Sequence, residues 1–140
     1  MGPTDVELVF RLDDWFDETL RTLSCRDDTR AYVISVLSRY GSNDDISHRS
    51  VVLAYSEARE RCSFVTYQKI GDWVLWVSSV YPNAISSNKD LVHSIGRASY
   101  KACNALLKGS WPLYEELADN LPIVARRINF SLEKRNVDFR

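Results

Sequence analysis

Residues 63–80 read SFVTYQKIGDWVLWVSSV, and the fold turns on whether this stretch is helix or strand. Its centre, Trp73 to Val77, is apolar without interruption. Valine and tryptophan suit a strand as well as a buried helix. Helix is favoured because the apolar segment is long for an isolated strand and no partner strand is visible. The helix is expected from about Ser63 to Val80, with Pro82 helping to stop it. A helix that is apolar all round has to be enclosed by others. This one is therefore expected to be the buried centre of an all-α bundle.

The flanking segments supply its neighbours. On the N-terminal side a helix is expected over about 51–61. Before it, GSNDDISHRS (41–50) is polar, rich in turn formers, and the clearest loop in the chain. Val33, Val36, Leu37 and Tyr40 form a helical stripe that Asp27-Asp28 would cap and Gly41 would end. Thr4-Asp5-Val6-Glu7 reads as a capping box for a first helix over about 5–23, with Asp13-Asp14 a candidate break in it. On the C-terminal side Ser86 or Ser87 would cap a helix over about 88–108 that Gly109 ends, with Leu91, Ile95, Ala98, Ala102 and Leu106 inward. Pro112 suits the first turn of the next helix. Pro122 is expected to start another, over about 122–135, with Val124, Ile128 and Leu132 inward. Five to seven helices in one domain, 1–140, is the expected architecture.

Composition agrees. The 140 residues are 45% hydrophobic and 26% charged, which excludes wholesale disorder. Five glycines and four prolines are too few for a chain of short strands and tight turns. The net charge of −1 and pI of about 6.1 favour no particular class of partner. Cys25, Cys62 and Cys103 are far apart and odd in number, which points to buried, reduced thiols in a cytoplasmic protein. Met1-Gly2-Pro3-Thr4-Asp5 lacks the pattern of a signal peptide. No apolar stretch exceeds five residues, whereas a membrane span needs about 20.

Several segments resemble one another's company in a known family. Ile70-Gly71-Asp72-Trp73-Val74-Leu75-Trp76 followed by Val80-Tyr81-Pro82 is similar to a GD-x-x-LF…G-x-FP signature. Thr29 to Val33, Ile95 to Tyr100 and Leu113 to Ala118 fit the same pattern, which departs at Ser79, where Gly would stand. The signature belongs to a family of small, uncharacterised bacterial helical proteins. The resemblance implies an all-helical domain of bacterial or phage source, and it implies no activity.

Asp72 is the one carboxylate in the most apolar helix, so it must be paired or neutral. Arg97, His93, Tyr100 or a tryptophan N–H are its expected partners; a functional alternative is a general base or ligand anchor. Gly71, Ser78 and Ser79 face a second small set, Gly96, Ser99 and Cys103, which suits close helix packing; neither glycine lies in a phosphate-loop pattern. His93, Arg97, Lys101, Asn104 and Lys108 recur at helical spacing on one cationic face. Arg126, Arg127, Lys134, Arg135 and Arg140 add charge near the C-terminus. Asp44, Asp45 and His48 lack the spacing of a calcium or zinc site, so no metal and no cofactor is expected. No nucleophile motif is present, and no catalytic residue is assigned. Tyr81, Trp111 and Tyr114 flank turns and are candidate exposed aromatics. The leading expectation is a non-enzymatic protein–protein interaction or assembly module, with a protein partner or a second copy. The alternative is a nucleic-acid or acidic-partner binding protein that uses His93, Arg97, Lys101, Lys108, Arg126 and Arg127. An enzyme centred on Asp72 and His93 is a third.

Overall fold

A computed structural model describes residues 20–21, 25–40 and 51–134. They form five α-helices: α1 (Asp27–Tyr40), α2 (Val51–Arg61), α3 (Phe64–Val80), α4 (Lys89–Leu106) and α5 (Leu113–Lys134). A 3₁₀ turn (Pro82–Asn88) joins α3 to α4. The all-α bundle is as expected. The first-helix capping box, the Asp13-Asp14 pair, the Asp44-Asp45-His48 loop, Arg135 and Arg140 lie outside the described residues.

Ser63 caps α3, its hydroxyl accepting from the Thr66 amide at 3.2 Å. Residues Ile70 to Leu75 and Val77 to Ser79 are buried, and α1, α2, α4 and α5 all pack on this helix. The stretch from Ile70 to Ser79 is therefore the enclosed centre, whereas the first turns of the helix expose Val65 and Lys69. None of the described helices is long and apolar enough to cross a membrane.

α3 and α4 approach closely through their glycines. A Cβ on Gly71 would lie 2.6 Å from the Tyr100 ring, and one on Gly96 would lie 2.6 Å from Val74. This contact turns α4 away from the expected stripe. Leu91 and Leu106 are exposed, and the buried face is Val92, Ile95, Gly96, Ser99, Tyr100 and Cys103. Small side chains sit inward here because backbone proximity to α3 leaves no room for leucine. Ser79 and Ser99, both buried, satisfy themselves on the carbonyls four residues back, Leu75 and Ile95.

Two boundary expectations are corrected. Neither Ser86 nor Ser87 caps α4: both lie inside the 3₁₀ turn, which Pro82 opens and which runs directly into α4. Pro122 does not begin a helix but lies within α5, which continues from Leu113 to Lys134. A proline has no N–H to give the carbonyl four residues back, here that of Ala118. Arg97 Nε donates to that oxygen at 2.9 Å. The side chain from α4 thus replaces the missing backbone bond and keeps α5 in one piece.

Gly96→Ala is expected to destabilise the fold by about 1–3 kcal/mol in urea denaturation, even though alanine is the better helix former, because the added methyl overpacks against Val74. Arg97→Ala should cost roughly 1–2 kcal/mol, the penalty for stranding a buried carbonyl. On a Pro122→Ala background, where the backbone N–H is restored, that cost should shrink; additive losses in the double-mutant cycle would refute the substitution of one bond by the other.

Candidate functional site

Two polar constellations stand out, and they are separate. The first surrounds Asp72, 2% exposed on α3. Tyr100 of α4 donates to Oδ1 at 2.8 Å, and Tyr32 of α1 donates to the same oxygen at 2.7 Å. Arg39 of α1 pairs with Oδ2 at 3.1 Å. Of the expected partners only Tyr100 is present. Arg97 is engaged with Ala118, His93 makes no bond to Asp72, and the Trp73 Nε1 has no partner among the described residues. Tyr32 and Arg39 lie some forty and thirty-three positions away in sequence, and nothing in local spacing announces them.

Burial raises the Asp72 pKa from 3.8 to about 6, against the opposing pull of the two tyrosine hydroxyls and, behind them, the Arg39 charge. Burial and the nearby carboxylate raise Tyr100 and Tyr32 far above the ordinary tyrosine range, so both remain donors. Burial also pushes the Cys103 thiol up to about 12, with Asp72 contributing, which makes it an unreactive packing group. Around this network Tyr114 meets Tyr32, Phe64, Tyr100 and Trp111, mostly edge to face. Tyr114 is 1% exposed rather than a surface aromatic, whereas Trp111 is exposed and donates to Asp28 at 3.0 Å. A carboxylate so enclosed and so fully bonded holds three helices together; it offers no open face to a reactant.

The second constellation is a groove of about 620 Å³ between the 3₁₀ turn, α4 and α5. Its cations are Lys89, Arg97 and Arg126, joined by His93 and opposed by one carboxylate, Asp90. Among the described residues none of the three cations forms an ion pair. Burial lowers the His93 pKa, the positive charges of Lys89 and Arg126 lower it further, and Asp90 acts the other way. The lowering favours the neutral imidazole, first through burial and then through the two cations. Pro82, Ile85, Pro122 and Ala125 give the groove apolar wall, and Ser78 and Asn129 lie in it too.

The cationic stripe read from sequence is therefore divided. His93, Arg97 and Arg126 meet in the groove; Lys101, Lys108 and Arg127 are exposed and lie outside it. Lys108 has left the helix altogether, with φ +56. Lys89 was not anticipated, although it stands one turn before His93 at the same i, i+4 spacing that identified Arg97. Ser78, expected only to aid helix packing, also lines the groove. Comparison with protein-family models, with curated proteins and with solved structures finds no match.

Because Asp72 holds its proton more tightly in the folded chain than in the unfolded one, its contribution is full below the ordinary carboxyl pKa and is lost as pH rises through about 6. A shift of this size corresponds to ~3 kcal/mol. Asp72→Asn, which carries no charge at any pH, is expected to gain on the wild type by that order as pH rises from about 4 to 7. Chemical denaturation across this window checks it, and a pH-independent difference would show that the charged form is fully compensated.

Proposed function

We propose that the chain is a non-enzymatic binding module that seats an acidic segment of a protein partner in the groove between α4 and α5. The observation that carries this is the convergence of Lys89, Arg97 and Arg126 on one concavity with a single carboxylate among them. Like charges brought together cost free energy, and an anionic partner removes that cost. Beside the groove, the outer face of α5 exposes Ile123 and Phe130, two turns apart, with Arg126 and Arg127 between them. Aromatic or aliphatic anchors beside arginine are the composition of protein interfaces.

That neighbourhood favours protein over nucleic acid. Lys101, Lys108 and Arg127 do not extend the groove into the long basic track that a phosphate backbone requires, and the pI is about 6.1. A cytoplasmic setting is proposed on the three free thiols, of which only Cys103 is buried as expected, Cys25 being half-buried and Cys62 exposed. The resemblance to small bacterial helical proteins implies no activity and adds no ligand.

An oligo-glutamate peptide is expected to bind with an affinity that falls with salt. Lys89→Glu combined with Arg126→Glu should weaken it at least tenfold, roughly the effect of losing one charge-assisted contact. Fluorescence anisotropy reads this directly. Unchanged binding in the variant would remove the groove from the reading, and tighter, more salt-sensitive binding of a single-stranded oligonucleotide would favour nucleic acid instead. Native mass spectrometry of the untreated protein reports whether a second copy is the partner.

A further inference from the structure

We infer that the groove recognises a phosphate monoester, whether carried on a side chain of the partner or on a free small molecule; this deepens the acidic-partner reading and rests on it. The first argument is charge. A single carboxylate would neutralise only one of Lys89, Arg97 and Arg126, whereas a phosphate monoester carries a charge of roughly −1.5 to −2 at neutral pH and three acceptor oxygens. The guanidinium groups of Arg97 and Arg126 suit such oxygens in a way that lysine alone does not. Arg97 uses Nε on the Ala118 carbonyl, which orients the guanidinium and leaves its terminal nitrogens for a ligand.

The second argument is independent of charge. Ser78 lines the groove, is 5% exposed, and its hydroxyl has no hydrogen-bond partner among the described residues. Its neighbour Ser79, and Ser99 on α4, both bond back to their own helices. Ser78 does not, and a buried hydroxyl left unbonded is costly. A ligand oxygen at that end of the groove supplies the missing acceptor. Size points to an ester rather than to the bare ion. About 620 Å³ is the volume of a small-molecule site, and the wall formed by Ile85, Pro122 and Ala125 gives an organic body apolar surface to cover.

His93 reports on occupancy. The titratable and charged groups of the groove are Lys89, Asp90, His93 and Arg97 on α4 and Arg126 on α5; the lining residues of α3 and the 3₁₀ turn carry none. A dianion placed among them offsets the excess positive charge that three cations and one carboxylate leave, so the His93 pKa is expected to rise when the site fills.

The test is an NMR titration of the full chain with phenyl phosphate, phenyl sulfate and benzoate, read on backbone amides and on the His93 imidazole in a His48→Gln background. Phenyl phosphate is expected to saturate, to shift amides around Ser78, His93 and Arg126, and to raise the His93 pKa. It should bind at least tenfold more tightly than either monoanion, and Arg126→Glu should weaken it by roughly tenfold or more. Ser78→Ala, which removes only the hydroxyl, should narrow the preference for phosphate over sulfate. A phosphoserine peptide run in parallel assigns the source: tighter binding than phenyl phosphate places the ester on a partner chain, and weaker binding places it on a free molecule. Equal affinity for all three aryl anions, or an unmoved His93, overturns the inference. If oligo-glutamate still binds and still depends on Lys89 and Arg126, the acidic-partner reading survives that failure; if it too is indifferent to them, both fall.

Discussion

A carboxylate placed on a helix that is apolar on all sides has to be given donors by the rest of the chain, and Asp72 obtains them from two other helices. Tyr100 reaches it from α4 and Tyr32 from α1, both on the same oxygen, while Arg39 takes the other. The Tyr100 bond depends on an absence. Its ring lies where a side chain at position 71 would stand, so only glycine there lets the hydroxyl arrive. The close approach that follows sets the buried face of α4, brings Gly96 against Val74, and leaves Leu91 and Leu106 outside.

The groove grows from a different necessity. Pro122 would interrupt α5 by stranding the Ala118 carbonyl, and Arg97 crosses from α4 to answer it. In doing so it brings its own charge to a place that Lys89 and Arg126 already line. One residue thus repairs a helix and arms a concavity. The two polar systems divide the work: Asp72 is enclosed and bonded on both oxygens, with Arg39 reaching out to solvent, and the groove gathers three cations against the single carboxylate of Asp90. Structural polar groups are normally satisfied within the fold, so unsatisfied convergence is where an outside partner is to be sought.

The tie between the ends of α1 and α5 completes the scaffold. The Arg26 amide donates to Glu116 at 2.7 Å, and Trp111 donates to Asp28 at 3.0 Å. These bonds anchor α1 beside the tyrosine cluster, which is the position from which Tyr32 and Arg39 reach Asp72.

Much of this was legible in the residues. An apolar run in a segment long for a strand, with no partner strand in view, reads as an enclosed helix, so 63–80 pointed to its own place, and the stripes Val33, Val36, Leu37 and Val124, Ile128, Leu132 pointed inward as their spacing required. That Asp72 must be paired followed from solvation alone. Tyr100 was among its expected partners but Tyr32 and Arg39 were not, because hydrogen bonds between helices depend on how close the axes come, and that distance was set by a Tyr100 ring lying over Gly71. The rotation of α4 escaped for the same reason, since leucine outranks serine for burial until backbone proximity leaves no volume for it. Local rules likewise read Pro122 as a helix start; an arginine from another helix made it an interior residue. The cations were visible one by one, but a helical stripe cannot say which of its members will share a cavity. Lys89, His93, Arg97 and Arg126 became a group when α5 and the 3₁₀ turn closed around them, because a concavity is a property of packed elements and of none of them singly.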